Sequence, residues 1–378
     1  MTSILLRNVR PWGGEPVDLP IVDGTIAEHR ADLDEYDGGG QIVIPALVDA
    51  HAHLDKTSYG RPYRPHTAGD SLASLIDNER THRGGLGSVA DRAGALLDRY
   101  IRGGVLHVRS HVDVDPVIGL DSVHGVRQAA AARPVTVQIV AFPQSGLVTR
   151  PGTAALMAEA IDAGADLIGG IDPAGFDGDP IRHLDTIFEL AAGKGVGLDI
   201  HLHDRGSLGA WQIDRIVDRT LAMDLRGQVT IAHCYALSTV EADRQTALID
   251  RIASADIALT TTGPGTTPQL PLKALASAGV RVGIGHDGVR DLWSPYGTGD
   301  LLEKVLSIAV MAGYRHDEDI ASVLRLATHG GADILGLPGY GLTPGSAANL
   351  VLLPVSHLTE AVTERPDRTV IAAGDILT

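Results

Sequence analysis

The chain has 378 residues, 44% of them hydrophobic and only 4% aromatic, so a large core must be built mainly from aliphatic side chains. Its 31 basic and 47 acidic residues give a net charge of -16, which argues against a nucleic-acid or anionic-membrane partner. The single cysteine, Cys234, cannot form an internal disulfide, which is compatible with a reducing compartment. We see no signal peptide and no apolar run that could span a bilayer, so a cytoplasmic protein is expected.

The predicted elements begin with short strands separated by turns, at residues 3–10, 17–22 and 25–31. Aliphatic runs then alternate with longer Ala- and Leu-rich patterns of helical spacing, such as those at 153–164 and 238–253. These runs predict eight strands, at 42–51, 104–111, 135–142, 166–171, 196–201, 228–233, 255–260 and 280–287. A helical stretch at 317–335 precedes two last predicted strands, at 348–354 and 369–373.

The order of these elements indicates an α/β fold. Eight parallel strands that are each followed by a helix form the repeat of a (β/α)8 TIM barrel, whose site lies at the carboxyl ends of the strands. A doubly wound sheet would show the same alternation and stays open as an alternative. Neither chain end could bury its apolar faces alone, so we expect both to form one small β-sandwich domain. The predicted division is a small domain of residues 1–45 and 340–378 and a barrel of residues 46–339.

Histidines follow several of the predicted strands, and the first such pair is the most informative. Side chains alternate along a strand, so His51 and His53 project to the same side of the sheet, where neutral imidazoles can hold a divalent metal. Other predicted strands end in His201, His233 and His286-Asp287. Each of these histidines taken singly could be structural, but a barrel would bring all of them to one face. Histidine nitrogens with one carboxylate would fill most of a metal's coordination shell and leave room for water.

The residues at the strand ends belong to longer motifs spread over most of the chain. The motifs are VDAHAHLDK at 48–56, RSHVDV at 109–114, QIVAFPQ at 138–144, DIH at 199–201, TIAH at 230–233, GHD at 285–287, DLWSPYG at 291–297 and GSAANLV at 345–351. Together they resemble the amidohydrolase superfamily, and more narrowly its cytosine-deaminase-like branch, with a similarity to N-isopropylammelide amidohydrolases. The resemblance implies a metal-dependent barrel hydrolase that acts on carbon–nitrogen bonds other than peptide bonds, in cyclic amidines.

The resemblance also implies the metal ligands. His51, His53, His201 and Asp287 would bind one divalent ion, with zinc expected and iron or manganese left open. His233 would lie beside the attacking water or the developing oxyanion. Members of the superfamily with two metals carry a carboxylated lysine on the fourth strand. The predicted fourth strand, at 166–171, contains no lysine, which favours a single ion.

Three residues are predicted to contact the substrate. Gln144 matches the branch's substrate-contacting glutamine, and its amide could pair with the lactam edge of a heterocycle. Lys56, beyond the first barrel strand, is predicted to face the pocket, with a solvated surface position as the alternative. Trp293 could form a wall of the pocket or serve only in packing.

The chain departs from the branch at two positions. Where the branch has a glutamate that carries a proton to the ring nitrogen, this sequence has Asp204, one methylene shorter, with His203 beside it. Where the branch has a second aspartate after the eighth-strand ligand, this sequence has Gly288. Losing that carboxylate would remove an acceptor for an unsubstituted amine and open space for a substituted amine or a different ring.

These features predict a metal-dependent aminohydrolase, or deaminase, that acts on an amino- or alkylamino-substituted heterocycle of the cytosine, triazine or pterin type. In this hypothesis Asp287 is the general base, His233 stabilises developing charge and Asp204 protonates the ring. A cyclic amide hydrolase acting on a hydantoin-, dihydropyrimidine- or dihydroorotate-like ring is one alternative, and a non-catalytic metal-binding barrel is another. The resemblance alone suggests a homo-oligomer whose partner is a small-molecule heterocycle.

Overall fold

The computed structural model describes residues 3–28, 32–263 and 268–377, and within them sixteen strands form two sheets. In chain order the strands are β1 (Ile4–Pro11), β2 (Val17–Val22), β3 (Thr25–Ile26), β4 (Asp34–Asp37), β5 (Ile42–Pro45), β6 (Leu47–Ala52), β7 (Val105–Asp113), β8 (Thr136–Phe142), β9 (Leu167–Ile171), β10 (Gly197–His201), β11 (Val229–Ala232), β12 (Ala258–Thr261), β13 (Val282–Ile284), β14 (Leu350–Leu353), β15 (Thr369–Ala372) and β16 (Asp375–Ile376).

Twelve α-helices connect or follow these strands in the same described ranges. They are α1 (Leu72–His82), α2 (Val89–Arg102), α3 (Asp121–Ala131), α4 (Thr153–Asp162), α5 (Pro180–Lys194), α6 (Gly206–Ala222), α7 (Ala242–Ser254), α8 (Leu272–Ser277), α9 (Leu301–Met311), α10 (Asp317–Arg325), α11 (Gly331–Leu335) and α12 (Leu358–Glu364). Short 3-10 helices lie at Arg83–Leu86 and Tyr235–Ser238, and a π-helical turn at Leu326–Gly330 joins α10 to α11. No helix in the described ranges is long and apolar enough to cross a membrane.

The eight strands β6 to β13 form a closed parallel barrel. Each pairs in parallel with the next along the chain, from β6 with β7 to β12 with β13. The first and last strands meet through a parallel bridge between Ala52 and Asp287, and Asp287 N donates to His51 O at 2.9 Å. This closure confirms the predicted (β/α)8 barrel and excludes the doubly wound sheet, whose two edges would remain apart.

The two chain ends form the second sheet. Its strand order is β16-β15-β14-β5-β1-β2-β3, and β4 is an additional strand that pairs with β1. The ends meet where β14 lies antiparallel to β5, with Leu352 opposite Val43. Buried aliphatic residues from both ends, including Leu6 and Leu350, form a core for this sheet that is separate from the barrel core. The predicted third strand, at 25–31, ends at Ile26 in the structure, and its residues 29–31 lie outside the described ranges.

The predicted single strand at 42–51 is wrong in one respect, because the chain changes sheets within it. β5 belongs to the sheet of the chain ends, and β6 is the first barrel strand. Ala46 lies between them and donates its N–H to Asn349 O at 2.8 Å, whereas Leu47 N donates to Gly104 O at 2.8 Å. The apolar run is continuous because both short strands are buried on both faces, so hydrophobicity alone could not reveal the break.

A buried arginine ties the barrel strands together beneath the site. Arg109 on β7 is only 4% exposed, and its guanidinium pairs with Asp199 Oδ2 of β10 at 3.0 Å. It also donates to Gln138 Oε1 of β8 at 3.0 Å and to Ile334 O of α11 at 2.8 Å. Asp199 in turn lies 3.2 Å from His111 Nε2, so this network reaches the histidines of the upper barrel.

Replacing this arginine should destabilise the barrel strongly. Arg109→Met leaves the Asp199 carboxylate buried without its cation, which costs about 3–5 kcal/mol of the free energy of unfolding. The matched control is Arg281→Met, because Arg281 pairs at 3.0 Å with a largely exposed Asp256 and should contribute at most about 1 kcal/mol. Urea unfolding with the m-values compared would measure both changes. Equal losses of unfolding free energy in the two variants would contradict the role of Arg109 in stabilising the barrel.

Candidate active site

Imidazoles from three barrel strands converge at one rim of the barrel. His51 lies in β6 and His53 directly follows it, both on the same side because their spacing is two residues. His201 is the last residue of β10, and His233 follows β11. All four of these side chains are buried. Asp287 follows β13 and faces them with 38% of its side chain exposed.

Three distances among the predicted ligand atoms are close to those in a tetrahedral shell. Asp287 Oδ1 lies 3.2 Å from His53 Nε2 and 3.7 Å from His51 Nε2, and His53 Nε2 lies 3.3 Å from His201 Nε2. Metal–nitrogen bonds of about 2.0–2.1 Å in a tetrahedral site separate neighbouring ligand atoms by about 3.4 Å. The chain's donor atoms therefore fit one small divalent ion, and three nitrogens with one oxygen suit zinc, iron or manganese.

Several of these ring nitrogens are buried and have no hydrogen-bond partner among the residues that the structure describes. Both nitrogens of His51 and both of His233 lack one, as do Nδ1 of His53 and Nδ1 of His201. A buried polar atom without a partner is costly, and a bound ion with its water would account for this concentration at one point. The fourth strand, β9, reads LIGGI and contributes no lysine that could bridge a second ion.

A second layer of side chains lies around the imidazoles. His111 of β7 lies against His51, with ring centroids 4.4 Å apart, and forms a deeper group of three nitrogens with His51 and His201. Burial lowers the pKa of His111 to about 4, so this imidazole is neutral near pH 7. Asp49 accepts a 2.7 Å hydrogen bond from His286 Nδ1 and thereby holds the residue that precedes Asp287.

The backbone at two of the site residues is strained. His233 has φ of 64° and Asp287 has φ of 64°, in the left-handed region that residues other than glycine rarely adopt. Burial by itself would raise the pKa of the Asp287 carboxyl, but its close contacts with the imidazoles of His51 and His53 keep it well below its ordinary value. The carboxyl is therefore held as an anion against the imidazoles, which is the state that a metal ligand requires.

A cavity of about 640 Å³ lies above this centre and has room for a heterocyclic ligand. The residues that line it include the predicted metal ligands His53 and Asp287 and the three predicted substrate contacts, Lys56, Gln144 and Trp293. Gln144 Oε1 and Trp293 Nε1 are buried and have no hydrogen-bond partner among the described residues. The acceptor and the donor thus belong to two residues that line the cavity.

Lys56 and Gln144 are held by buried acids. Lys56 Nζ lies 3.1 Å from Asp113 Oδ1 and between two aromatic rings, 5.3 Å from the centroid of Trp293. Gln144 Nε2 donates to Glu79 Oε2 at 2.9 Å and contacts Asp113 Oδ2 at 3.3 Å. Burial would lower the pKa of Lys56, but the charges of Asp113 and Glu79 raise it, so the lysine stays charged. The solvated position of Lys56 is excluded, since the side chain is 4% exposed.

The structure does not bring Asp204 to the cavity. Its Oδ2 accepts hydrogen bonds from Gly175 N at 2.9 Å and Gln212 Nε2 at 2.8 Å. Neither Asp204 nor the neighbouring His203 is among the residues that line the cavity above the centre. The neighbouring His203 is closer to the centre, with its ring centroid 4.3 Å from that of His233. Asp172 accepts from His203 Nδ1 at 2.7 Å. Burial would lower the pKa of His203, but the charge of Asp172 and this hydrogen bond raise it.

The space expected above Gly288 is also occupied. A Cβ added at Gly288 would collide with Asp291 Oδ2, so the carboxyl of Asp291 lies where a side chain at position 288 would begin. Asp291, Asp172 and His203 are three residues near the centre for which the sequence motifs predicted no role. A signal for His203 was present, because His201 and His203 repeat the two-residue spacing of His51 and His53. No comparable sequence pattern pointed to Asp172 or Asp291, because both lie in loops and the path of the loop sets which residues they contact.

An eight-stranded parallel barrel with imidazoles and a carboxylate at the carboxyl ends of its strands is typical of metal-binding hydrolases. The amidohydrolase family model matches residues 88–377. The chain therefore belongs to the amidohydrolase family and is a hydrolase, as its motifs predicted.

Similar proteins extend over nearly the whole chain. N-isopropylammelide isopropyl amidohydrolase of Pseudomonas sp. (strain ADP) is 31% identical over 370 residues, which cover 93% of this chain and 91% of that protein. The crystal structure of N-isopropylammelide isopropylaminohydrolase from Burkholderia multivorans ATCC 17616 is 40% identical and matches with a TM-score of 0.95, covering 100% of this chain and 98% of the other. That of 5-methylcytosine deaminase from Klebsiella pneumoniae is 25% identical, with a TM-score of 0.85 and coverage of 100% and 98%. The predicted resemblance to the cytosine-deaminase-like branch is confirmed.

Metal analysis of purified protein should find about one divalent ion per chain, because the four predicted ligands form a single cluster and β9 has no lysine to bridge a second ion. His201→Ala should lose most of this metal, and chelation should lower the melting temperature of the parent, since a ligand that binds only the folded state stabilises it. His124→Ala is the control, as His124 is exposed on α3 and should leave metal content unchanged. Parent-like metal content in His201→Ala would contradict the ligand assignment.

Proposed function

We propose that this protein hydrolytically removes an amino or alkylamino group from a nitrogen heterocycle of the cytosine, triazine or pterin type. The observation that carries the proposal is the combination of the four clustered donor atoms with the cavity directly above them. Two of the residues that line the cavity carry polar atoms without a partner among the described residues, the acceptor Gln144 Oε1 and the donor Trp293 Nε1. Such a pair suits the edge of a ring that contains both N–H and C=O groups.

We infer that His51, His53, His201 and Asp287 hold one divalent ion, with zinc the first choice and iron or manganese the others. When bound, the ion lowers the pKa of water towards about 7 and so supplies a nucleophile at neutral pH. The reaction adds the water oxygen to the ring carbon and breaks the bond from that carbon to the amine nitrogen. The products are a ring carbonyl and ammonia or an alkylamine.

The chain's own residues move the protons. Asp287 takes the proton that the attacking water gives up and hands it to the departing amine, because its partly exposed carboxylate lines the cavity. His233 hydrogen-bonds the oxygen that gains charge during the attack, since its two ring nitrogens have no other partner. General acid–base steps of this kind each contribute about 10²- to 10⁴-fold to the rate.

We assign protonation of the ring nitrogen to His203 in place of Asp204. The Asp204 carboxylate is engaged with Gly175 and Gln212, and turning it to the cavity would break both hydrogen bonds. His203 lies beside His233, and Asp172 fixes its ring and stabilises its imidazolium form. This pairing of a histidine with a carboxylate suits a proton donor near pH 7.

The relatives support the class of reaction but do not identify the heterocycle. The two N-isopropylammelide hydrolases act, by their names, on an alkylamino-substituted compound, and the third relative deaminates 5-methylcytosine. The substrate proposed here has the chemistry that these compounds share. A cytoplasmic location and a homo-oligomeric state stay predictions from the sequence.

Assay of metal-loaded protein against aminopyrimidines, aminotriazines, aminopterins and their N-alkyl derivatives should show release of ammonia or alkylamine from one class. Asp287→Asn should lower kcat by at least about 100-fold even where metal is retained, because the amide cannot accept and return the proton. Metal content is measured on the same samples. Normal turnover by an Asp287→Asn protein with its full metal content would refute this mechanism. Failure of the parent protein to release ammonia or amine from any compound of the panel would refute the proposed function.

A pair of neighbouring substitutions separates the two proton donors. His203→Gln should reduce kcat by about 100-fold or more, because glutamine cannot carry a proton to the ring. Asp204→Asn keeps an acceptor for Gly175 N and should leave kcat near that of the parent. Steady-state kinetics on the substrate found in the panel, with KM and kcat resolved, measures both. The opposite ranking would return the role to Asp204.

A further inference from the structure

The loop after β13 holds a carboxyl group that the mechanism above does not use. Asp291 lies four residues after Asp287 and lines the same cavity. Its Oδ1 accepts hydrogen bonds from Trp293 N and Ser294 N, each at 2.8 Å, which fixes the side chain against its own loop. Its Oδ2 receives no hydrogen bond from the residues that the structure describes.

The absence of a side chain at position 288 makes this placement possible. The free Oδ2 lies over Gly288, where any Cβ would collide with it. Gly288 directly follows Asp287, so the free oxygen lies on the side of the cavity where Asp287 meets the substrate. Burial, reinforced by the charges of Glu79 and Asp287, raises the pKa of Asp291 to about 7. A carboxyl group behaves in this way when it lacks a donor or a cation for one of its oxygens.

We propose that Asp291 Oδ2 accepts a hydrogen bond from the N–H of the substrate's leaving amine, and so selects leaving groups that carry at least one N–H. The inference rests on the proposed function, because it names the group that recognises the amine which Asp287 protonates. Gln144 and Trp293 also line the cavity and remain for the ring itself. Two carboxylates besides Asp287 line it, those of Asp291 and Glu303. Glu303 Oε2 accepts hydrogen bonds from Thr298, and Asp291 is the one beside Asp287, so Asp291 is the better placed for the amine.

Gly288 therefore has a different effect on the cavity from the one predicted from the sequence. The glycine does not leave open space, because Asp291 supplies an acceptor there from three residues further along the loop. Primary and secondary amines both retain an N–H and would be accepted. A tertiary amine or an alkoxy group on the same ring carbon would leave Oδ2 without a donor, and an unmade buried hydrogen bond is penalised.

The test compares matched substrates in the parent and in Asp291→Asn. Asparagine keeps Oδ1 for Trp293 N and Ser294 N but presents an NH₂ group, a donor, above Gly288. The substrates are an amino or alkylamino heterocycle from the panel and the same ring with a methoxy or dimethylamino group instead. The parent's preference for the N–H substrate, measured as the ratio of kcat/KM values, should fall by about 10- to 100-fold in Asp291→Asn. The ratio is independent of the fraction of protein that is folded.

A second variant displaces the carboxyl group without changing it chemically. Gly288→Ala places a methyl group where Oδ2 lies, and the backbone at Gly288 is outside the left-handed region, so alanine is tolerated. The same preference should therefore fall in Gly288→Ala, while metal content stays at the parent level. An unchanged preference in both variants would overturn the inference even if the protein proves to be a deaminase.

Binding measurements keep the two proposals distinguishable. If the parent turns over no member of the panel, the proposed function fails, and calorimetric titration with the same matched pairs addresses Asp291 directly. Tighter binding of the N–H compound by the parent but not by Asp291→Asn would support the inference without any hydrolysis. Equal affinities in both proteins, or no binding of either compound, would overturn it.

Discussion

The hydrogen bond from Asp287 N to His51 O, 2.9 Å long, is the contact on which the site depends. It joins the last strand of the barrel to the first, and it ties together the two chain segments that carry the predicted ligands. Because strand β6 alternates its side chains, fixing the backbone at His51 also fixes His53 two residues later. The same contact brings the Asp287 carboxylate to 3.2 Å from the His53 ring. Closure of the barrel therefore also brings Asp287 to His51 and His53.

The interior of the barrel is unusually polar beneath this centre, and its stability depends on how that polarity is paired. Buried charges are expensive unless they are neutralised at close range, and the two acids beneath the centre, Asp199 and Asp49, each have a specific partner. Arg109 neutralises Asp199, whose other oxygen lies at 3.2 Å from His111, and Asp49 holds His286. These pairs support the imidazoles from below and restrict their orientation. A ligand set held in this way needs little rearrangement when a metal binds.

The chemistry and the selectivity are carried by different parts of the fold. The histidines that form the centre lie in strands or at their ends, where the hydrogen bonds of the barrel limit variation. The groups proposed to face a bound ring lie in the loops: Gln144 follows β8, and Trp293 and Asp291 follow β13. Loops can change without disturbing the core, so one centre can serve many rings. The relatives agree with this division, since proteins of closely similar fold are named for triazine and pyrimidine substrates.

The barrel, the pairing of the chain ends and the hydrolase family could be predicted from the sequence alone, as could the candidate ligands His51, His53, His201 and Asp287, which the structure brings close together. These follow from local rules: alternation along strands, helical spacing between them, and histidines placed at strand ends. The sequence did not reveal the change of sheet at Ala46, because two short buried strands read as one apolar run. Nor did it reveal that Asp204 turns to Gln212, that Asp172 holds His203, or that Asp291 fills the space over Gly288. The directions of these side chains became visible only in the folded structure. A side chain in a loop takes its direction from contacts with residues distant in sequence or from the local turn of the backbone. Neither of these leaves a periodic pattern in the sequence.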